Sequence, residues 1–105
     1  MHLEEKTLSS ETVYKGKIFT VTKDTALLEN GKEVFRDVVH HSGGVTVIPI
    51  TDDNEILMVR QFRYPHHTAM LEIPAGKLEP GEKHYDCGKR ELLEETGCTC
   101  KVYEY

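Results

Sequence analysis

Residues 76–98 constrain the fold of this chain more than any other stretch, because they run from a turn into a segment crowded with carboxylates. Pro80 and Gly81 are turn residues, and the segment from about residue 84 to residue 96 suits a helix. Gly97 follows at the position where a left-handed residue often ends a helix. The sequence therefore predicts a turn followed by one helix with a defined end.

Three carboxylates of this helix are expected to share one face. Glu91, Glu94 and Glu95 are three or four residues apart, and such positions are neighbours on a helix. The adjacent arc is a modest stripe suited to packing on a core, made of Tyr85, Gly88, Leu92 and Thr96. The carboxylates are therefore predicted to border the core and to line a site.

An acidic helix face has two interpretations, a solvated surface or a cation site. Negative charge near a helix C-terminus opposes the macrodipole, and like charges four residues apart are mildly destabilising. A divalent cation would relieve both effects. Oxygen ligands without His or Cys favour Mg²⁺ or Mn²⁺ over zinc. Arg90 is expected to reach Glu94 one turn later and to hold its carboxylate in position.

The spacing of these residues resembles the Nudix box, the signature of hydrolases that cleave a diphosphate linked to another moiety. The residues that carry the resemblance are Gly76, Glu82, Arg90, Glu91, Leu92, Glu94, Glu95, Thr96 and Gly97. Cys98 departs from the family, which usually has a bulky aliphatic residue there, although Cys also behaves as a small hydrophobe. Gly88 costs a helix roughly 1 kcal/mol relative to Ala.

The resemblance implies an α/β (α+β) fold, the Nudix-type α/β/α sandwich with a mixed sheet, of which this chain carries the N-terminal part. Residues 43–105 are expected to form that part, including the box at 76–98. Residues 1–42 are expected to form an antiparallel β meander that mediates dimerisation. In the family, further strands and another helix follow the box. The chain is therefore expected to be a fragment, or to complete its sheet through another copy.

The strand pattern of the first 42 residues is clear from residue 12 to residue 41. Asn30 and Gly31 stand between two apolar runs, which is a strong hairpin signal. Ser42, Gly43 and Gly44 then punctuate the chain.

Further strands are expected on both sides of the box. Residues 45–50 and 56–64 are predicted to pair as a hairpin and to form the sheet beneath the acidic helix. Residues 64–70 are predicted to be a loop, and residues 70–78 a short strand that leads directly into a turn at Gly76. Residues 98–105 are predicted to begin another strand.

The flanking segments SGGVTVIPI, VRQFRYP and LEIPAGKLEPGE resemble the ADP-ribose pyrophosphatase branch of the family. By this resemblance the substrate is ADP-ribose, hydrolysed to AMP and ribose 5-phosphate, and the protein is a homodimer. Another nucleoside diphosphate derivative is the alternative within the family. A truncated domain that binds metal and nucleotide without turnover is the alternative outside enzymes.

The same resemblance implies the site residues. Glu91 and Glu95 match the principal metal ligands, Glu94 shares or bridges, and the carbonyl of Ala75 matches a further ligand. The implied catalytic group is Arg90, Glu91, Glu94 and Glu95, supported by Gly76 and Glu82. Arg63 and Glu72 match positions near the substrate, with ordinary surface charges as the alternative for each. The general base stays open, since a glutamate beyond this chain often serves in the branch and a box glutamate is the substitute.

Composition limits the partners and the location. The net charge is −5 and the isoelectric point about 5.6, a balance that argues against nucleic acid as a partner. The N-terminus lacks the apolar core of a signal peptide, and no run is long enough to cross a bilayer. A cytoplasmic protein is therefore expected.

The cysteines and histidines do not indicate a metal site of their own. Cys87, Cys98 and Cys100 are odd in number and contain no CxxC pair, so free thiols are expected rather than a disulfide framework or a structural zinc site. Of the six histidines, His40 and His41 are expected to point to opposite faces of a strand, and His66 and His67 to lie in a loop, so metal binding by histidine is not expected.

Overall fold

The computed structural model describes residues 3–105, and the chain divides into two compact units between His41 and Ser42. The first unit holds three strands, which are β1 (Lys6–Lys15), β2 (Thr20–Leu27) and β3 (Glu33–His40). The second unit holds four short strands and a helix, which are β4 (Gly44–Thr46), β5 (Val59–Arg63), β6 (Thr68–Glu72), β7 (Ala75–Lys77) and α1 (His84–Thr96).

The first unit is an antiparallel sheet in the order β1-β2-β3. The β2–β3 hairpin pairs without interruption from Thr20 opposite His40 to Leu27 opposite Glu33. This pairing confirms the hairpin predicted from Asn30 and Gly31. Gly31 takes a φ of 85° in its turn, a conformation that other residues adopt at a cost. Strand β1 begins at Lys6, earlier than the pattern indicated.

The predicted hairpin of residues 45–50 with residues 56–64 is wrong except at its closed end. Only the isolated bridge between Ile50 and Ile56 joins the two segments as β structure. Strand β4 pairs instead with β7, and β5 pairs with β6, both antiparallel. The N–H of Val47 donates to the carbonyl of Pro74 at 2.8 Å, so the chain has already turned to its other partner there. Strands β4 and β7 are consequently the ones that pack against α1.

Three local predictions are also corrected. The expected loop at residues 64–70 is shorter, since a 3-10 turn at Tyr64–His66 gives way to β6 at Thr68. Gly76 lies within β7 opposite Val45, not in a turn, and Pro74 separates β7 from β6. Residues 98–105 form no strand among the described residues, because no neighbouring strand pairs with them.

The core of the second unit lies between α1 and the β4–β7 pair. Cys87 and Leu92 are 0% and 3% exposed, and Gly88 is buried beside them. A Cβ on Gly88 would overlap the hydroxyl of Tyr103 and lie 3.4 Å from Val45 Cγ1. Gly88 therefore allows the close packing that its low helix propensity suggested, and Tyr103 uses the space.

The α+β class is confirmed in the described part of the chain, which combines antiparallel strand pairs with a single α-helix. Between residues 3 and 105 no helix has the length and apolar character needed to cross a membrane.

Candidate active site

Helix α1 carries the acidic side chains and ends as predicted. Gly97 adopts a left-handed φ of 72°, and its N–H donates to the carbonyl of Leu93 at 2.8 Å. This bond satisfies one of the carbonyls that every helix C-terminus leaves without a helical partner. The acidic residues consequently occupy the last two turns of a well-terminated helix.

Glu91 is the most enclosed of the three carboxylates. The residue is 9% exposed, and its carboxylate lies directly over the Cα of Gly76, where any Cβ would overlap it. Gly76 is held in that position by its pairing with Val45 across the β4–β7 pair. The glycine is therefore required by a close approach of a side chain, which is a different reason from the turn that the sequence suggested.

Glu95 and Glu94 have different partners. Glu95 Oε2 accepts a hydrogen bond from the backbone N–H of Ala75 at 3.3 Å. Glu94 Oε2 accepts from Arg90 Nη1 at 3.1 Å, as the four-residue spacing predicted, and its side chain is 56% exposed. Glu91 and Glu95 thus border the same backbone segment at residues 75–76, and Glu94 extends toward solvent.

Arg90 is the charged centre of the cluster. Its Nε and Nη2 donate to the two carboxylate oxygens of Glu82 at 2.7 and 2.8 Å. Its Nη1 donates to Glu91 Oε1 at 2.8 Å, and Nη2 also donates to the carbonyl of Lys77 at 3.2 Å. A two-pronged bond to a carboxylate fixes the orientation of the guanidinium as well as its position. Arg90 therefore ties the loop before the helix to the carboxylates on it.

The pKa values of this pair are displaced in the direction that its bonds require. The hydrogen bonds from Arg90, followed by one from the backbone N–H of Glu79, lower the pKa of Glu82 to about 2. The bond to Glu82 is also the first cause of a raised pKa at Arg90. Both groups are therefore charged at neutral pH. This geometry agrees with an orienting role for Glu82 and Arg90, which stays a prediction.

Arg63 and Glu72 lie on neighbouring strands and bind each other. Arg63 Nε donates to Glu72 Oε2 at 2.7 Å, and Nη2 donates to the other oxygen. The bond to Glu72 is the first cause of a raised pKa at Arg63, and the charge of Glu95 also contributes. Arg63 is therefore within the electrostatic range of the Glu95 carboxylate.

Sequence reasoning missed two groups that complete the surroundings of Arg90. Cys87 Sγ lies 3.7 Å from the carbonyl of Lys77 and 3.7 Å from Arg90 Nη2. The three-residue spacing of Cys87 and Arg90 on the helix was an available signal for their contact. The Lys77 carbonyl left no signal, because a side-chain pattern does not reveal which backbone oxygen faces a distant residue.

The candidate ligands are chemically suited to a hard divalent cation, but their present hydrogen bonds keep them apart from one another. All the candidate ligands are oxygens, which Mg²⁺ and Mn²⁺ prefer. Among residues 3–105, however, no three His, Cys, Asp or Glu side chains converge as a metal group. Arg90 engages Glu91 and Glu94, and the Ala75 amide engages Glu95. Ion binding therefore requires these carboxylates to turn from their present partners.

Comparison with known proteins covers nearly the whole chain. The family model of the NUDIX domain matches residues 40–105, and that of the nucleoside diphosphate sugar hydrolase N-terminal domain matches residues 5–39. An ADP-ribose pyrophosphatase of Bacillus subtilis is 46% identical over 99 residues, which are 94% of this chain and 54% of the relative. A methanol dehydrogenase activator of Bacillus methanolicus is 44% identical over 102 residues, which are 97% of this chain and 55% of the relative.

A solved structure shows the same likeness in three dimensions. The crystal structure of an ADP compounds hydrolase superposes with a TM-score of 0.82 at 26% identity, covering 95% of this chain and 55% of the other. The chain spans about half the length of the curated relatives it matches.

Proposed function

This chain belongs to the Nudix family, and we propose that it serves a hydrolase that cleaves the diphosphate of ADP-ribose to AMP and ribose 5-phosphate with a divalent metal ion. The relatives named ADP-ribose pyrophosphatase support ADP-ribose as the substrate. The carboxylates of α1 support the metal-dependent hydrolysis.

The observation that carries the proposal is the seating of the Glu91 carboxylate on Gly76. Together with the bond from the Ala75 amide to Glu95, it brings two carboxylates to one backbone segment. The carbonyl of Ala75 belongs to that segment and is the proposed backbone ligand. Two carboxylates and a carbonyl at one place form a set of hard oxygen donors.

Nudix hydrolases generally use divalent metal ions, and we propose Mg²⁺ or Mn²⁺ here because the donors are all oxygens. Bound ions of this kind neutralise phosphate charge and lower the pKa of an attacking water. Glu91, Glu95 and Ala75 are the proposed ligands, and Glu94 shares or bridges. Arg90, which Glu82 holds in place, is proposed to keep Glu91 and Glu94 near these positions until an ion displaces it as their partner.

Arg63 and Glu72 are proposed to contact the substrate. A guanidinium matches a phosphate or a carboxylate with two parallel donors, so Arg63 can exchange Glu72 for a substrate oxygen. The contribution of the Glu95 charge to the raised pKa of Arg63 supports this role. The general base is proposed to be a box glutamate or a group outside this chain.

A second candidate substrate class has its own support. Residues 5–39 match the nucleoside diphosphate sugar hydrolase N-terminal domain, and an ADP-sugar pyrophosphatase of mouse is 35% identical over 107 aligned positions. Nucleoside diphosphate sugars share the diphosphate and differ in the attached sugar. Comparing turnover of ADP-ribose with turnover of such sugars would distinguish the two substrate classes. A preference of about tenfold for another compound would contradict the assignment of ADP-ribose.

The first experiment follows AMP release from ADP-ribose and Mg²⁺ by this chain, by Glu95→Gln, and by Glu104→Gln as a control at an exposed glutamate outside α1. We expect release by the wild type and by Glu104→Gln, and loss of release in Glu95→Gln. Equal release by all three would refute the site. No release by a folded chain that still binds Mg²⁺ would refute catalysis by this chain and favour a metal- and nucleotide-binding domain without turnover.

We also propose a homodimer without nucleic acid partners, located in the cytoplasm. One face of the β1–β2–β3 sheet exposes apolar side chains, including Phe35 at 68%, Val39 at 61% and Tyr14 at 55%. Exposed apolar surface of this kind favours association. A monomeric mass by light scattering at micromolar concentration would contradict the dimer.

A further inference from the structure

The three cysteines of the chain have two different environments. Cys87 is fully buried in α1, and its thiol faces the carbonyl of Lys77. Cys98 and Cys100 are free and exposed, with only Thr99 between them. The exposed pair therefore meets solvent, whereas the buried thiol does not.

The two exposed cysteines are separated by a single residue, and this spacing permits a disulfide between them. Consecutive Cα atoms are about 3.8 Å apart, so Cα atoms two residues apart are separated by at most about 7.6 Å. Disulfides span Cα separations of about 4.4–6.8 Å, which lies within that limit. Residues 98–100 belong to neither a helix nor a strand. A bond between the two sulfurs would therefore disrupt no regular hydrogen bonding.

The end of α1 anchors the first of these thiols. The backbone N–H of Cys98 donates to Thr96 Oγ1 at 3.2 Å, and its thiol lies 3.6 Å from the carbonyl of Thr96. Cys100 lies on the following segment, which leads to Tyr103 on the surface of the helix. One sulfur is thus fixed to the helix end, and the other lies on the chain that leaves it.

We propose that Cys98 and Cys100 form a dithiol that reacts with small disulfides of the oxidised glutathione class and closes an internal disulfide. In the first step one thiolate attacks a sulfur of the small disulfide, forms a mixed disulfide and releases one glutathione thiolate. In the second step the other cysteine attacks the protein sulfur of that mixed disulfide and releases the second glutathione. The protein loses two electrons and two protons, and the small disulfide gains them.

The internal disulfide is favoured by the tether between the two thiols. A group held on a short flexible linker acts at an effective concentration in the millimolar range or above. The second thiol therefore outcompetes free glutathione for the mixed disulfide when glutathione is below about 1 mM. Disulfides that do form in reducing compartments are usually transient, as this one would be.

The test incubates the reduced 105-residue chain in glutathione buffers of increasing oxidised fraction, quenches with acid, alkylates the remaining thiols and measures intact mass. We expect the two exposed thiols to be lost together with no mass of bound glutathione, and the internal disulfide to exceed the mixed disulfides when total glutathione is below about 1 mM. Cys87 is expected to stay reduced and to be alkylated only after denaturation. Reduction by dithiothreitol is expected to restore both exposed thiols.

Two single variants make the result decisive. Cys98→Ser and Cys100→Ser each leave one exposed thiol, and each is expected to accumulate the mixed disulfide with glutathione. The proposal is overturned if the wild type carries glutathione separately on both cysteines. It is also overturned if the oxidised product is a disulfide between two chains, which a non-reducing gel detects, or if Cys87 is lost in place of one of the pair.

Discussion

Replacing Gly76 by Ala tests the contact on which the proposed metal site depends. A methyl carbon built on Gly76 would overlap the carboxylate of Glu91, both at its carbon and at its oxygens. Carbon atoms pack at about 3.5–4.0 Å, so the carboxylate has to withdraw by more than about 1 Å. Metal ligation tolerates deviations of only about 0.2 Å from ideal distances. The variant should therefore remove Glu91 from a bound ion.

The expected magnitudes differ for stability and for metal binding. Overpacking of this kind typically costs about 1–3 kcal/mol of the free energy of unfolding. The carboxylate is the far end of a flexible side chain, which places the Gly76→Ala cost at the lower end of that range. Displacing a residue that supports a metal site typically lowers affinity by about 10–100-fold. Gly76→Ala should consequently bind Mn²⁺ or Mg²⁺ much more weakly while it remains folded.

The assay pairs urea unfolding with titration of Mn²⁺ by calorimetry. Gly81→Ala is the matched control, because Gly81 lies in the same segment with a φ of 76° and open space where a Cβ would point. It should lose stability through backbone strain and keep its metal affinity. Glu91→Asp shortens the side chain, so its combination with Gly76→Ala should cost less stability than the sum of the two. Strict additivity, or unchanged metal affinity in Gly76→Ala, would refute the reasoning.

Three further outcomes are expected. Glu95→Gln should lower metal affinity and turnover more than Glu82→Gln, because Glu95 lies at the Ala75 amide and Glu82 precedes the helix; equal losses in a metal titration would contradict this. Since the pKa of Glu82 falls from 4.5 to about 2, its stabilising contribution is complete above pH 4.5 and is lost as pH falls through about 2. Acid unfolding of Glu82→Gln followed by circular dichroism should lack that dependence, and an unchanged profile would count against the ion pair. Gly88→Ala should destabilise the chain in urea although Ala favours helices by about 1 kcal/mol, because a Cβ there overlaps the hydroxyl of Tyr103; in a Tyr103→Ala background the same change should stabilise, and destabilisation there as well would refute the contact.

The helix could be predicted from the sequence because its signals are local. A turn at Pro80 and Gly81, a periodic stripe and Gly97 lie within one short segment, and each acts on its immediate neighbours. Strand pairing was harder. Residues 45–50 have an apolar partner nearby at 56–64, yet β4 pairs with β7 about thirty residues away. Sequence pattern identifies strands, but it does not rank nearby partners against distant ones.

In the site, too, the contacts between near neighbours on the helix could be predicted, and the contacts between distant residues could not. Helical spacing placed Arg90 beside Glu94, and that contact is present. The stronger two-pronged bond joins Arg90 to Glu82, which lies eight residues earlier in a loop. Helical spacing does not predict this contact, because Glu82 is not part of the helix. The bond between Arg63 and Glu72 likewise depends on the register of β5 with β6. Such contacts follow from the path of the backbone, which side-chain patterns do not specify.

Strand β1 differs from its neighbours in a way that bears on how the first unit opens. All ten of its residues are exposed, and its register with β2 shifts twice, whereas β2 and β3 pair without a break. Backbone amides of β1 should therefore exchange with deuterium faster than those shared by β2 and β3. A protease should cut within β1 before it reaches the hairpin. We therefore expect the first unit to open in two stages, in which β1 detaches first and the β2–β3 hairpin remains.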